Sequence, residues 1–291
     1  MHKAIAAATV LLSMAAMAVP HGLQAQDAEG TTRKWNVWAD GRFYGIDDRV
    51  ADQRSIGRNV SIGLDAKAID WLTLGLGVSY ETFDTRTDPQ NLPTTSHGVG
   101  LNPYLVARLS PKLNLTGFGA VSHIDYDTTF APAQRALFDA WRWLGGLSLT
   151  GTWTDGGWRF LPTATVIYGQ ENQRAYTSTA GTFVGARSIE FGRLTVGSEI
   201  AYTFRDEAQT WALEPFVGLR GNFDYIPNSI AIFNGANFLG VGRGQWSAAL
   251  AVGAALNTKQ GFFARVQASH ESLFMSGLDI WLGQARVGWN F

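Results

Sequence analysis

The sequence predicts an all-β protein, a closed antiparallel transmembrane β-barrel of about 12 strands with short periplasmic turns and long extracellular loops. The first observation is that segment after segment alternates apolar and polar residues with a period of two. The second is that charged residues make up only 16% of the chain, against roughly 25% in typical soluble domains. The third is that the connections between segments alternate between short and long, as they do on the two sides of an outer-membrane barrel.

The composition narrows the class of protein further. The mean hydropathy of −0.03 argues against a bundle of apolar membrane helices, whereas the alternating strands of a barrel average to such a value. A net charge of −1 predicts no nucleic-acid partner. The absence of cysteine excludes disulfides and thiolate metal sites, and the five histidines are scattered, so neither a metal nor a cofactor is expected.

The amino terminus has the features of a secretory signal peptide. Lys3 supplies a basic start, residues 4–19 are apolar and rich in alanine, and Pro20 then breaks the helix. Cleavage is predicted after Ala25, with Ala18 as the alternative. The predicted organisation is therefore a signal peptide at 1–25, a short segment at 26–33 and a barrel at 34–291, located in the bacterial outer membrane and surrounded by its lipid.

The first four predicted strands alternate clearly. Each places branched or aromatic apolar residues on the face assigned to lipid and polar residues on the face assigned to the lumen. The strands and their main lipid-facing residues are 34–44 (Val37, Phe43), 55–67 (Val60, Ile62, Leu64), 72–81 (Leu74, Leu76, Val78) and 98–109 (Val99, Leu101, Leu105).

The next four strands are bounded by turn signals. Pro111 marks a turn before the fifth strand, and Gly156 with Gly157 marks a hairpin between the sixth and the seventh. A short polar turn around Asp206 follows the eighth. These strands are predicted at 113–125, 140–153, 158–170 and 189–204.

The last four strands are predicted at 211–224, 245–256, 261–269 and 278–291. The final strand places Val287, Trp289 and Phe291 on one face, and an apolar strand with a terminal aromatic is expected to be the assembly signal of the barrel. Because a free apolar edge would aggregate, this strand is expected to pair with the first. Long extracellular loops are predicted at 84–96, 171–187 and 225–244, which places both termini in the periplasm.

A barrel with this number of strands has a narrow lumen. The alternation directs charged residues of both signs into it, and oppositely charged side chains in a narrow lumen are expected to pair rather than to select one type of ion. The predicted lumen-facing residues are Arg42, Asp65, Arg108, Arg193, Glu199, Glu214, Arg220, Arg265 and Arg286.

Several segments resemble the translocator (β-domain) of autotransporters. Residues 37–41 are similar to its opening strand, and residues 62–65 followed by 71–80 are similar to its second hairpin. Residues 213–219 and the terminal Trp289-Asn290-Phe291 are similar in place and order. The resemblance covers about 35–291, and it implies a 12-stranded outer-membrane barrel inserted by the barrel-assembly machinery, which reads the terminal aromatic strand.

An autotransporter carries a secreted passenger before its barrel, joined by a helix that threads the pore. Here only residues 26–33 separate the predicted cleavage site from the first strand, so the sequence favours a barrel without an attached passenger. The predicted role is a non-enzymatic pore or scaffold, or a translocator-like one, with an unidentified passenger or ligand. A small-solute porin is an alternative.

A lipid hydrolase is a further alternative. His270 and Ser272 are two residues apart on one strand face, where His270 could deprotonate the serine. The competing interpretation is that both begin a polar loop. His123 and His97 are interpreted as interfacial and loop residues. Paired loop carboxylates would suit a protease, but solvated loop charges are the simpler interpretation of Asp84, Asp88, Asp125, Asp127 and Glu171.

Overall fold

The computed structural model describes residues 34–88, 90–131, 134–226 and 245–291. The predicted signal peptide at 1–25, the segment at 26–33 and most of the predicted loop at 225–244 lie outside the described residues. Within the described part, no helix is long and apolar enough to cross a membrane.

Twelve long strands pair antiparallel, each with its neighbours along the chain, and the last pairs with the first. The predicted closed antiparallel barrel of 12 strands is therefore confirmed. The long strands are β1 (Trp35–Asp48), β2 (Gln53–Ile69), β3 (Leu72–Thr87), β4 (Leu92–Ser110), β5 (Leu113–Ala131), β6 (Gln134–Gly151), β8 (Trp158–Gln173), β11 (Arg187–Tyr202), β13 (Trp211–Asp224), β14 (Trp246–Thr258), β15 (Phe262–Leu273) and β16 (Leu278–Asn290).

Four short strands complete the described structure. β7 (Trp153–Asp155) pairs with the start of β8, and β12 (Phe204–Arg205) pairs with the start of β13. β9 (Tyr176–Thr177) and β10 (Phe183–Val184) form a separate small hairpin between β8 and β11. We call the end of the barrel that holds Lys34 and Phe291 the terminal end, and the opposite end the outer end.

The period-two alternation of the sequence becomes the two faces of the barrel wall. On β2, Val60 and Ile62 are 58% and 57% exposed, whereas Asn59 before them and Asp65 after them, on the other face, are buried. The exposed apolar residues face outward, where a membrane supplies hydrocarbon. Such a surface requires a closed sheet, because lipid offers no hydrogen-bond partner to an unpaired strand edge.

The closing seam between β1 and β16 runs from the Asn36–Asn290 pair to the Asp48–Leu278 pair without a register shift. Beyond the ladder, the Lys34 N–H donates to the Phe291 carbonyl at 2.9 Å, and the Phe291 N–H donates to the Trp35 carbonyl at 2.8 Å. The seam is thus paired from Lys34 to the last residue, Phe291, and it removes both free edges of the sheet.

Large aromatic rings of the inner face lie over glycines of neighbouring strands. Tyr104 is paired directly with Gly75, and a Cβ built on Gly75 would lie 2.1 Å from Cζ of that ring. Phe118 covers Gly146 and Phe263 covers Gly288 in the same way, with approaches of 2.4 and 2.3 Å. Because glycine has no side chain, the rings of Tyr104, Phe118 and Phe263 can lie directly against the barrel wall. These rings belong to the buried apolar cluster on the inner face.

Strand lengths differ from the predicted ones at the outer end. The loop predicted at 84–96 is only the connection between Thr87 and Leu92, because β3 and β4 both continue into it. The loop predicted at 171–187 contains the end of β8 and the β9–β10 hairpin. The residues of these strand extensions are mostly polar on both faces, so no apolar alternation marks them in the sequence.

Candidate functional site

The inner face of the barrel carries three groups of linked polar side chains. The first lies on β3, β5, β6 and β8 and centres on Arg142, which is 1% exposed. Its guanidinium donates to Glu81 at 2.8 Å and to Glu171 at 2.7 and 2.9 Å. The Tyr126 hydroxyl donates to the other Glu171 oxygen at 2.9 Å. One guanidinium on β6 therefore bridges two buried carboxylates, one on the neighbouring strand β8 and one on β3, which is three positions away in the sheet.

The second group lies on β8 to β15. Arg265 donates to Glu199 at 2.6 Å, and its guanidinium carbon lies 3.7 Å from the centre of the Phe216 ring. The remaining ion pairs of this group are Arg193 with Asp224 at 2.6 Å, Arg220 with Glu271 at 2.6 Å, and Arg159 with Glu214.

The third group lies on β1, β2, β4 and β16 near the seam. The Trp38 indole donates to the Tyr104 hydroxyl at 2.8 Å, and that hydroxyl donates to Asp65 at 2.6 Å. Arg286 stacks on Trp38 with its guanidinium carbon 4.5 Å from the ring centre. Nearby, Asp40 accepts hydrogen bonds from Arg42 at 2.7 Å and Gln284 at 2.6 Å.

These polar groups follow the wall of the lumen. Two of the named ion pairs span the most strands, and each joins strands three positions apart in the sheet: Arg142 with Glu81, and Arg265 with Glu199. Opposite strands of a 12-stranded barrel are six positions apart. Twelve strands about 4.8 Å apart and tilted by about 40° enclose a backbone cylinder roughly 24 Å wide. The named ion pairs therefore neutralise the wall without crossing the axis of the barrel.

The structure places the nine predicted lumen residues on the inner face. Arg42, Arg193, Glu199, Glu214, Arg220 and Arg265 are in ion pairs, Asp65 is held by Tyr104 and Asn36, and Arg286 is buried against Trp38. Arg108 is partly buried on the side of β4 that also carries Tyr104.

Sequence reasoning missed the residue at the centre of the first group. Arg142 stands between Trp141 and Trp143, so its parity on β6 was the only sequence signal that it faces inward. Glu171 was interpreted as a loop residue, and that interpretation was wrong because β8 continues to Gln173 and buries it completely. Asp84, Asp125 and Asp127 also lie on strands, and Asp127 forms an ion pair with Arg135 at the outer end.

His270 and Ser272 do not form a hydrogen-bonded pair. The His270 ring meets Trp281 edge to face with centroids 4.6 Å apart, and its Nε2 lies 3.5 Å from Asp279. Its Nδ1 is buried without a hydrogen-bond partner among the described residues. Ser272 is 2% exposed, and its hydroxyl accepts the Ile280 N–H at 2.9 Å. A histidine near a carboxylate is present, but the serine is buried and bonded elsewhere.

No cluster of three or more histidine, cysteine or carboxylate side chains suited to a metal ion occurs in the described ranges. The residues predicted to form the assembly signal, Val287, Trp289 and Phe291, all face outward from the seam strand β16 or its end, where each is partly exposed.

The family model of the autotransporter beta-domain matches residues 37–269. A search of curated proteins finds no matching sequence. Among solved structures, the translocator domain of the autotransporter NalP from Neisseria meningitidis is similar with a TM-score of 0.71 and 14% identity, over 98% of this chain and 97% of that one.

Two further structures show the same fold. The beta domain of the Bordetella autotransporter BrkA has a TM-score of 0.73 and 14% identity, over 89% of this chain and 100% of that one. The transport unit of the autotransporter AIDA-I from Escherichia coli has a TM-score of 0.63 and 10% identity, over 99% of both chains.

Proposed function

Because the chain belongs to the autotransporter beta-domain family, we propose that it is a non-enzymatic barrel of the Gram-negative outer membrane that acts as a translocator-like conduit. The observation that carries this proposal is the lumen, whose named ion pairs lie along the wall and do not bridge the axis. An inner wall whose charged side chains are in ion pairs is polar but has no strong preference for a polypeptide or solute of one charge. The terminal aromatic strand is proposed to be read by the barrel-assembly machinery.

A reporter segment tests the translocator role. We would insert a short epitope between residues 33 and 34, ahead of β1, and measure its accessibility to antibody on intact cells. The proposal expects surface exposure of the epitope, at barrel levels equal to those of the parent. An epitope that stays in the periplasm while the barrel is inserted normally would contradict translocation and leave a scaffold.

Conductance in planar bilayers tests the lumen separately. We expect stepwise currents with little selectivity between cations and anions. Arg265→Gln should shift the reversal potential in the direction of cation selectivity, because it leaves the Glu199 carboxylate without the guanidinium that pairs with it at 2.6 Å. Arg205→Gln on the exposed strand β12 is the matched control, since Arg205 is outside the lumen groups described above. The reporter and the currents together distinguish a translocator from a small-solute porin.

The lipid hydrolase remains the second candidate because His270 faces outward with its Nε2 close to Asp279. Purified protein would be assayed on phospholipid and lipid A beside Ser272→Ala. Turnover that the substitution abolishes would establish the hydrolase and overturn the non-enzymatic proposal. We expect no turnover, because the buried Ser272 hydroxyl is held by the Ile280 amide.

A further inference from the structure

At the outer end, β6 extends beyond its neighbouring strand β8. β8 pairs with β6 only as far as the Ala140–Gln173 pair, so residues 134–139 of β6 continue without a barrel strand on that side. Their other side is paired with β5 up to the Ala131–Gln134 pair. A strand edge of this length normally needs cover.

The segment 174–186, which we call the lid hairpin, lies along this edge. The Arg174 N–H donates to the Asp139 carbonyl at 3.0 Å, and the Thr179 N–H donates to the Arg135 carbonyl at 2.8 Å. The Arg135 N–H donates in return to the Thr179 hydroxyl at 3.1 Å. Gly181 turns the tip with a φ of +81°, a conformation that glycine adopts without strain.

One side chain of the lid hairpin enters the mouth of the lumen. The Tyr176 ring stacks on Phe138 with centroids 4.5 Å apart, and Phe138 stacks in turn on Tyr126 at 4.8 Å. The interplanar angles are 11° and 12°, so the three rings form one continuous stack. Tyr176 also covers Ala136, which is only 2% exposed.

The same side chain is linked to the first lumen group through Arg187. The Arg187 guanidinium donates to the Tyr176 hydroxyl at 3.4 Å and to the Gln173 side chain at 2.7 Å. Gln173 donates to Glu171, the buried partner of Arg142, at 2.7 Å. The lid hairpin is thus connected to a fixed charge cluster of the wall, while Phe183 at its far side is 71% exposed.

We propose that the lid hairpin is a hinged lid over the β5–β8 side of the outer mouth and that it opens when Tyr176 leaves the ring stack. The barrel ladder does not depend on it, because β8 and β11 pair with each other from Arg187–Gln173 downward. The hairpin can therefore lift without breaking a wall strand. The lid hairpin is attached to the barrel by the Tyr176 ring stack and a few hydrogen bonds. A segment with so few contacts can open locally while the barrel stays folded.

Cysteine labelling measures the opening, since the chain contains no cysteine of its own. Ala136→Cys places a thiol under Tyr176, and a water-soluble maleimide reports how often it is uncovered. Adding Tyr176→Ala should raise the labelling rate about tenfold, because the stack is lost. Tyr176→Phe keeps the stack and should label nearly as slowly as the parent. Phe183→Ser, at the exposed side, is the control for a general loosening of the hairpin.

Bilayer currents of the same variants decide whether the opening matters to the lumen. The lid predicts larger or more frequent open steps for Tyr176→Ala than for Tyr176→Phe. Equal labelling rates in these two variants would overturn the lid, as would faster labelling with unchanged currents, since the hairpin would then only cover an edge. The labelling result does not depend on the proposed conduit function, so the two ideas fail separately.

Discussion

At the scale of single residues, the inner wall combines buried charges with aromatic rings seated on glycines. Arg142 joins two carboxylates that are themselves almost completely buried. Such a cluster adds little stability compared with apolar packing, but removing one member leaves an uncompensated buried charge. Breaking the cluster is therefore expected to cost more than forming it contributes.

Replacing Arg142 with Met should lower the free energy of unfolding by about 3–5 kcal/mol, because Glu81 and Glu171 would be left unpaired in the wall. The measurement is denaturant unfolding of protein folded into lipid vesicles. Adding Glu81→Gln and Glu171→Gln to the same protein should recover most of the loss. A loss below about 1 kcal/mol in the single variant would mean that the carboxylates find other partners.

The ring contacts make a second prediction from a matched pair of glycines. Gly75→Ala should destabilise the barrel by about 1–3 kcal/mol, since its Cβ would lie 2.1 Å from the Tyr104 ring and would disturb the bond from Tyr104 to Asp65. Gly283→Ala adds the same methyl group where nothing lies within 4 Å. The same unfolding measurement compares the two, and equal stability of both variants would show that the ring is free to move aside.

At the scale of elements, sequence alternation predicted the existence of all 12 long strands and the facing of those with a clear apolar face, but not their outer ends. The signal works where one face meets lipid, as for Val60 and Asn59 on β2. The alternation fails at residues such as Thr85, Arg86 and Thr94, where a paired strand carries polar residues on both faces. The first lumen group was incompletely predicted for the same reason, because Glu171 lies near the end of β8 and reads as a loop.

The turn between β11 and β13 at the terminal end gives a prediction about pH. Asp206 accepts hydrogen bonds from the Thr210 hydroxyl and N–H, both at 2.6 Å, and from the Trp211 N–H at 3.0 Å, and these donors lower the pKa of its carboxyl. A depressed pKa means that the stabilisation is present at neutral pH and is lost as the pH falls through the folded-state value.

Below about pH 4, the Thr210 and Trp211 amides should therefore lose protection as Asp206 becomes protonated. Amide hydrogen exchange from neutral to acid pH measures this, with Asp206→Asn as the control that should exchange faster already at neutral pH and should respond less to acid. Protection at these two amides that does not change with pH in the parent would contradict the turn's dependence on the carboxylate.

At the scale of the whole molecule, the 12 long strands form one sheet closed on itself, and the last residue of the chain takes part in the closure. The Phe291 amide and carbonyl bond to Trp35 and Lys34 at the start of β1. Deleting Phe291 should lower the amount of barrel inserted in the outer membrane, because it removes both the end of the seam and the terminal aromatic. Membrane fractionation measures the effect, and normal insertion of the shortened chain would count against the proposed assembly signal.

Closure by the first and last strands has a consequence for biogenesis. Asp40 and Gln284, which are hydrogen-bonded across the seam, are 244 residues apart in sequence. Until the last strand has been made and exported, every partly formed sheet has two uncovered margins and an apolar exterior, a state that self-associates in water. The ring cannot be sealed strand by strand during synthesis, so the exported polypeptide must be shielded in transit and completed in a single late step at the membrane.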